Sequence, residues 1–239
     1  MPYPTIKEKD EIRRMLQPGC VINTVGHPEI SQPWLEIVYY FIRDVQEKEF
    51  PYGWFADTHS VLYPGGDRVF ECTFPVVKET PLEKILENDL TVWWPYRMEE
   101  LTGPEALVYW RAVFEAFEKT KGNQYDILDL VDMLLAYSKD RAEYHRILGS
   151  KNRFVCSTYA AMLHEAGRKA VEKAFNVDID RLFLGPIVLI EMVTPAHYAN
   201  RPDAFGQLYP IPGSETDLRW RRKWMHPKYY RMYTRRFAA

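Results

Sequence analysis

The sequence predicts an α+β fold in which an antiparallel sheet packs against helices, and three observations predict it. Two β-rich runs flank a glycine turn at "YPGGD". Several longer segments repeat their apolar residues at helical spacing. Strands and helices come in partly separate blocks along the chain, not in strict alternation. A chain of 239 residues with 46% hydrophobic content is enough for one large domain with a proper core.

In chain order, "LQPG" (16–19) is a turn signal and "CVINTV" after it a short strand. Ser31 and Pro33 suit a helix start, and Trp34, Ile37, Val38, Phe41, Ile42 and Val45 then form one apolar stripe. "DTHSVLY" and "RVFECTF" around "PGGD" predict a hairpin over 57–74. "TVWWPYR" (91–97) predicts a third strand, whose Trp93, Trp94 and Tyr96 suit buried structure or a cleft wall. Gly103 and Pro104 start a second helix that Gly122 ends. Asp126 caps a third, with Ile127, Leu128, Val131, Leu134 and Leu135 on one face. "LGSKN" breaks it, a fourth helix runs from Ser157 to about Phe175, and "GPIVLIEMV" (185–193) reads as a buried strand.

Charge is uneven. From Ser214 onward there are eight Lys or Arg against two acids, although the chain's net charge is −2. The expected division is a domain over 1–205 and a basic, aromatic C-terminal extension over 206–239. Cations interleaved with aromatics suit an anionic surface or single-stranded nucleic acid. The plainer reading is that the aromatics pack on the acidic body while the basic heads reach into water.

No apolar run approaches the ~18 residues of a membrane span, and 1–19 lacks the apolar stretch of a secretory signal. A cytoplasmic protein is expected, or one carried in a phage particle or released by lysis. Cys20, Cys72 and Cys156 are too few and too far apart for a disulfide framework or a zinc knuckle. Phosphate loops, nucleotide-binding glycine fingerprints, Gly-x-Ser-x-Gly and His-Glu-x-x-His are all missing, and no cofactor or metal is expected.

Chemistry concentrates at "NRFVCSTYAAML" (152–163), where a charged loop turns into an apolar-periodic run at Cys156. The first turn of a helix favours an anion, so a thiol there is more easily ionised. A nucleophilic thiol also needs a base and a group to orient it. Among His27, His59, His145, His164, His197 and His226, only His59 has company, since Glu71 lies on the other strand of its hairpin. The two face one another directly if the turn holds an odd number of residues, as Tyr63 paired with Asp67 gives. A two-residue turn sets Ser60 there instead. Each residue also has a plainer reading: a buried cysteine, a core histidine, a solvent-facing glutamate. All three are also zinc-ligand types, though without the usual short ligand spacing. Cys20 and Cys72 read as core, with Cys72 on the strand face opposite Glu71.

The ordered set "LQPG", "THSVLYPGGDRVFE", "NQYDILDL", "RFVCSTYAAMLHEAG" and "VTPAHYA" resembles the circularly permuted NlpC-type papain-like cysteine peptidases, the YiiX-like group, over about 16–198. The resemblance implies a permuted papain-like fold with Cys156 as nucleophile, His59 as base and Glu71 as orienter. It places Tyr125, Asp126 and Ser157 along the substrate cleft. Two departures are plain: Cys20 stands where the group usually has Asp, and "DTH" replaces a smaller residue before the histidine. The implied activity is cysteine-dependent hydrolysis of an amide bond, in a cell-wall peptide or isopeptide, through a thioester. An acyltransferase or acyl-lipid hydrolase uses the same site, and a non-catalytic virion or binding protein is the reading from another class.

Overall fold

The structure, a computed structural model, describes residues 5–25, 40, 42–44, 46–47, 50, 57–126, 128, 155–177, 193–200, 204–224 and 231. The strand expected at 185–193, most of the helix after Asp126, most of the stripe over 34–45, and His27, His145 and His226 lie outside these residues.

The strands are β1 (Val21–Thr24), β2 (His59–Leu62), β3 (Arg68–Thr73), β4 (Val76–Pro81), β5 (Leu90–Pro95) and β6 (Phe205–Tyr209). They form one antiparallel sheet in the order β4-β3-β2-β1-β5-β6. The hairpin appears where β-rich runs meet Gly65 and Gly66, both at positive φ, which glycine adopts without steric cost. β4 is a strand that the sequence reading lacks. Its Lys78, Glu79 and Pro81 suit an edge position, where charge and proline discourage pairing with other chains.

Two-residue alternation gives the sheet two apolar faces. Ile22, Val61, Val69, Val92 and Trp94 pack with Ile12 and Leu16, from α1 (Ile6–Met15) and its end, and with Ile85 and Leu86 of α2 (Leu82–Leu86). Val21, Leu62, Phe70, Cys72 and Trp93 pack with Tyr109, Val113 and Phe117 of α3 (Gly103–Thr120) and with Tyr159, Ala160 and Leu163 of α4 (Cys156–Phe175). Burying a Leu, Ile or Phe side chain contributes about 1.5–3 kcal/mol, so these faces fix which helices cover which side.

Local signals set the helix ends. Thr102 and Glu105 cap α3 reciprocally, with proline in the first turn. Thr5 and Glu8 do the same for α1; "TIKE" carries that pattern in the sequence, but the apolar stripe behind it is thin. α3 and α4 approach closely at Gly167, where a Cβ would overlap the ring of Tyr109.

The expected domain boundary falls at the first residue of β6, which pairs with β5. Beyond it, α6 (Glu215–Trp224) is tied to the body. It follows α5 (Pro195–Ala199) in the chain. Trp220 is buried beside Val25. Gln207 of β6 donates to the buried Asp217 carboxylate at 3.1 Å, and Thr216 donates to Glu8 of α1 at 3.1 Å. Arg219 remains half exposed. Among the described residues, no helix is long and apolar enough to cross a membrane.

Candidate active site

β2 and β3 meet, among the described residues, in one pair, Leu62 with Phe70. Extending that pair centres the turn on Gly66, one residue later than a Tyr63–Asp67 pairing. The turn therefore holds an odd number of residues, and His59 and Glu71 share a face. They do not sit directly opposite, as the sequence reading expected: Val61 is set across from Glu71, and His59 one step along. Diagonal neighbours are about 7–8 Å apart at the backbone, within reach of long side chains. Here His59 Nε2 lies 2.9 Å from Glu71 Oε2.

Cys156 is the first residue of α4, after Val155, which offers no side-chain cap, and the first turn carries no acid. The positive end of the helix is thus left to the thiol. The Cys156 and His59 side chains are neighbours, each close enough to favour the other's charged form. With Nε2 on Glu71, the nitrogen facing sulfur is Nδ1. The backbone N–H groups of Ser60 and Ser157 also favour the charged form of Cys156. Sγ also lies 3.9 Å from the Thr58 carbonyl oxygen.

All three groups are secluded; Cys156 is 4% exposed. Burial pushes the Cys156 thiol up, but the His59 imidazolium and the two N–H donors outweigh it and hold its pKa below the usual thiol value. For His59, burial opposes the charged ring, while the Cys156 thiolate and the Glu71 carboxylate favour it and raise its pKa to about 10. Burial likewise pushes Glu71 up, and bonds from His59 and Thr80 with the nearby Lys78 ammonium bring it below the ordinary carboxylate value. The arrangement is a thiol, an imidazole and a buried carboxylate in series, in which transfer of the thiol proton to His59 is favoured. The thiolate so formed is a nucleophile, and the imidazolium a proton donor beside it.

The remaining expected residues divide. Ser157 belongs to the site through its N–H, while its hydroxyl donates to Val193 O and its carbonyl accepts from Tyr198 at 2.9 Å. Tyr198 is itself close enough to Cys156 to feel its charge. Tyr125 packs on the edge of the α3–α4 core, and its N–H bonds Pro75 O at 2.9 Å. Asp126 is fully buried and acts electrostatically on Cys72. Cys72 lies on the strand face opposite Glu71, as expected, yet under α4, where it too feels Cys156; burial drives its thiol well up, and Cys20 likewise to about 12.

His164 is bonded to the Tyr109 hydroxyl in the α3–α4 interface, and burial lowers its pKa to about 3. His197 accepts from Thr194 N–H at 3.0 Å as part of the α5 cap. Trp93 and Trp94 are core, one on each face of the sheet, and Tyr96 covers Gly206. Among the described residues, no group of three or more His, Cys, Asp or Glu is arranged to hold a metal ion.

Sequence reasoning missed three supports. The Ser60 N–H is a backbone donor, which no side-chain pattern reveals. Thr80 and Lys78 arrive on the unread strand β4. Behind His59 lies a buried polar network: Asn23 Nδ2 donates to Asp57 Oδ2 (3.1 Å) and Pro195 O (2.9 Å), and Asn23 Oδ1 accepts from Ser60 Oγ at 2.7 Å. The "DTH" departure thus brings an aspartate that ties the start of β2 to Asn23 of β1 and to Thr91 of β5.

No family model and no curated protein matches the chain.

Proposed function

We propose that this chain is a cysteine-dependent amide hydrolase of the circularly permuted, NlpC-type papain-like kind, acting through Cys156, His59 and Glu71. What carries the reading is one observation: Cys156 at a helix start stands beside a histidine whose Nε2 lies 2.9 Å from a buried carboxylate, and thiol and ring each favour the other's charged form. The order of the residues, His59 and Glu71 before Cys156, supports the permuted arrangement.

The thiolate attacks the amide carbon, and the carbonyl electron pair moves onto oxygen. N–H groups at the start of α4, those of Cys156 and Ser157, stabilise that oxyanion. As the C–N bond breaks, the leaving amine takes the proton from His59 Nδ1, and a thioester remains on Cys156. Water then attacks the thioester, His59 accepts its proton, and the thiolate departs from the released acid. Glu71 holds the ring and stabilises its charge throughout. A peptide or isopeptide bond of cell-wall type is the proposed substrate.

Incubation with cell-wall peptides and short isopeptides, followed by intact-mass analysis, tests this. The expected result is cleavage of an amide with a hydroxylamine-sensitive acyl adduct on Cys156, both lost in Cys156→Ala. Cleavage that survives Cys156→Ala overturns the proposal, as does an unacylated Cys156 across the whole panel.

A further inference from the structure

We propose that Thr80 is a positioning residue for the triad, its hydroxyl holding one oxygen of Glu71 so that the other meets His59; the inference rests on the Cys–His–Glu reading above. β4 pairs with β3 so that Lys78 faces Glu71 and Thr80 faces Val69. Thr80 is therefore the diagonal neighbour of Glu71 on the same face, and it is buried. Its Oγ1 donates to Glu71 Oε1, and Lys78 Nζ stands 3.6 Å from that same oxygen. Oε2 is left to His59.

A glutamate has three side-chain torsions, and the last is broad, so a single bond to His59 does not fix the plane of the carboxylate. The Thr80 hydroxyl supplies the second point. It also donates to the ionised form, which burial alone disfavours. The charged and titratable groups around Glu71 are His59 from β2 and Lys78 from β4, with Cys156 of α4 beyond His59 and Cys72 next along β3. Lys78 is half exposed, so water screens it, and the hydroxyl is the better placed of the two.

The test is the pH profile of iodoacetamide labelling at Cys156, read by peptide mass spectrometry, in wild type, Thr80→Val, Thr80→Ser and Glu71→Gln. Losing a donor to a buried charge moves the acid limb of Thr80→Val up by about one pH unit, a roughly tenfold slower reaction on that limb. Thr80→Ser returns the limb to its wild-type position, and Glu71→Gln shifts it at least as far as Thr80→Val. A Thr80→Val profile superimposed on wild type, with Glu71→Gln shifted, overturns the role of Thr80 and leaves the triad standing. Profiles unmoved in Glu71→Gln as well overturn the triad and this inference with it. Should Thr80→Val fail to fold, NMR of the wild-type protein decides. A slowly exchanging, downfield Thr80 hydroxyl proton that shifts as Cys156 titrates is expected, and its absence overturns the proposal.

Discussion

His59 Nε2 reaches Glu71 Oε2 at 2.9 Å across a diagonal of the β2–β3 hairpin, with the directly opposite position set by the register at Val61. Because the carboxylate is buried and charged, its effect is felt both in reactivity and in stability. Glu71→Gln keeps the shape and removes the charge. The account predicts that Cys156 labelling at pH 6 slows by about tenfold or more, as an interaction with one partner of a buried ion pair implies. The folded pKa of Glu71 lies below its ordinary 4.5. Its stabilisation is thus present in full above that value and is lost as pH falls through the lower folded value. Acid unfolding of Glu71→Gln is therefore expected to be less steep than that of wild type, followed by circular dichroism.

Asn23 is expected to matter for stability as much as for the site. It is fully buried and joins Asp57, Ser60 and Pro195. Asn23→Ala leaves donors and acceptors of that set without their bonds, at a cost of about 2–3 kcal/mol. Urea unfolding measures the loss. The segment 58–60 carries His59 and the Ser60 N–H, so labelling of Cys156 slows in the same variant under conditions where it remains folded.

Gly167 tests the contact between α3 and α4. Alanine normally favours a helix interior over glycine, but here its Cβ would overlap the fully buried ring of Tyr109. Overpacking of this kind costs about 1–3 kcal/mol. Gly103→Ala, where a Cβ meets nothing within 4 Å, is the control and shifts the unfolding midpoint little.

These residues show which parts of the account were legible in the sequence. Cys156 at a helix start is a local event, a break followed by an apolar period, and α4 begins there. The shared face of His59 and Glu71 depends only on whether the turn is odd or even, and two glycines settle that locally. Their exact offset depends on which glycine centres the turn, a choice that neighbouring strands make. β4 was missed because an edge strand dilutes its alternation with Lys78, Glu79 and Pro81, and Thr80 went with it. The Ser60 N–H is a backbone group brought near Cys156 by tertiary packing, which no side-chain pattern announces. The basic segment read as separate because its charge contrasts with the body, yet Trp220 packs beside Val25 and Asp217 accepts from Gln207 of β6.

Activity against pH follows from the pair. The Cys156 pKa is held below the usual thiol value and that of His59 is raised to about 10; being coupled, these limits belong to the pair. Amide cleavage needs the thiolate and the imidazolium together. The rate of the proposed cleavage is therefore expected to rise with pH through the lower limit and to fall as pH passes about 10. Alkylation by iodoacetamide needs only the thiolate, so it rises through the same lower limit and does not fall at the upper one. Rate profiles for the two reactions on one preparation separate these limbs.

The most direct measurement is iodoacetamide labelling of each cysteine against pH in wild type and in His59→Ala, read by peptide mass spectrometry. The account predicts that Cys156 reacts fast below pH 7 while Cys20 and Cys72 stay protected. In His59→Ala, burial is no longer opposed by a cation, so the Cys156 pKa rises and its labelling at pH 7 falls by about a hundredfold. A Cys156 that labels no faster than Cys20 and Cys72, or whose profile is the same with and without His59, contradicts the thiolate–imidazolium pair on which the proposed chemistry stands.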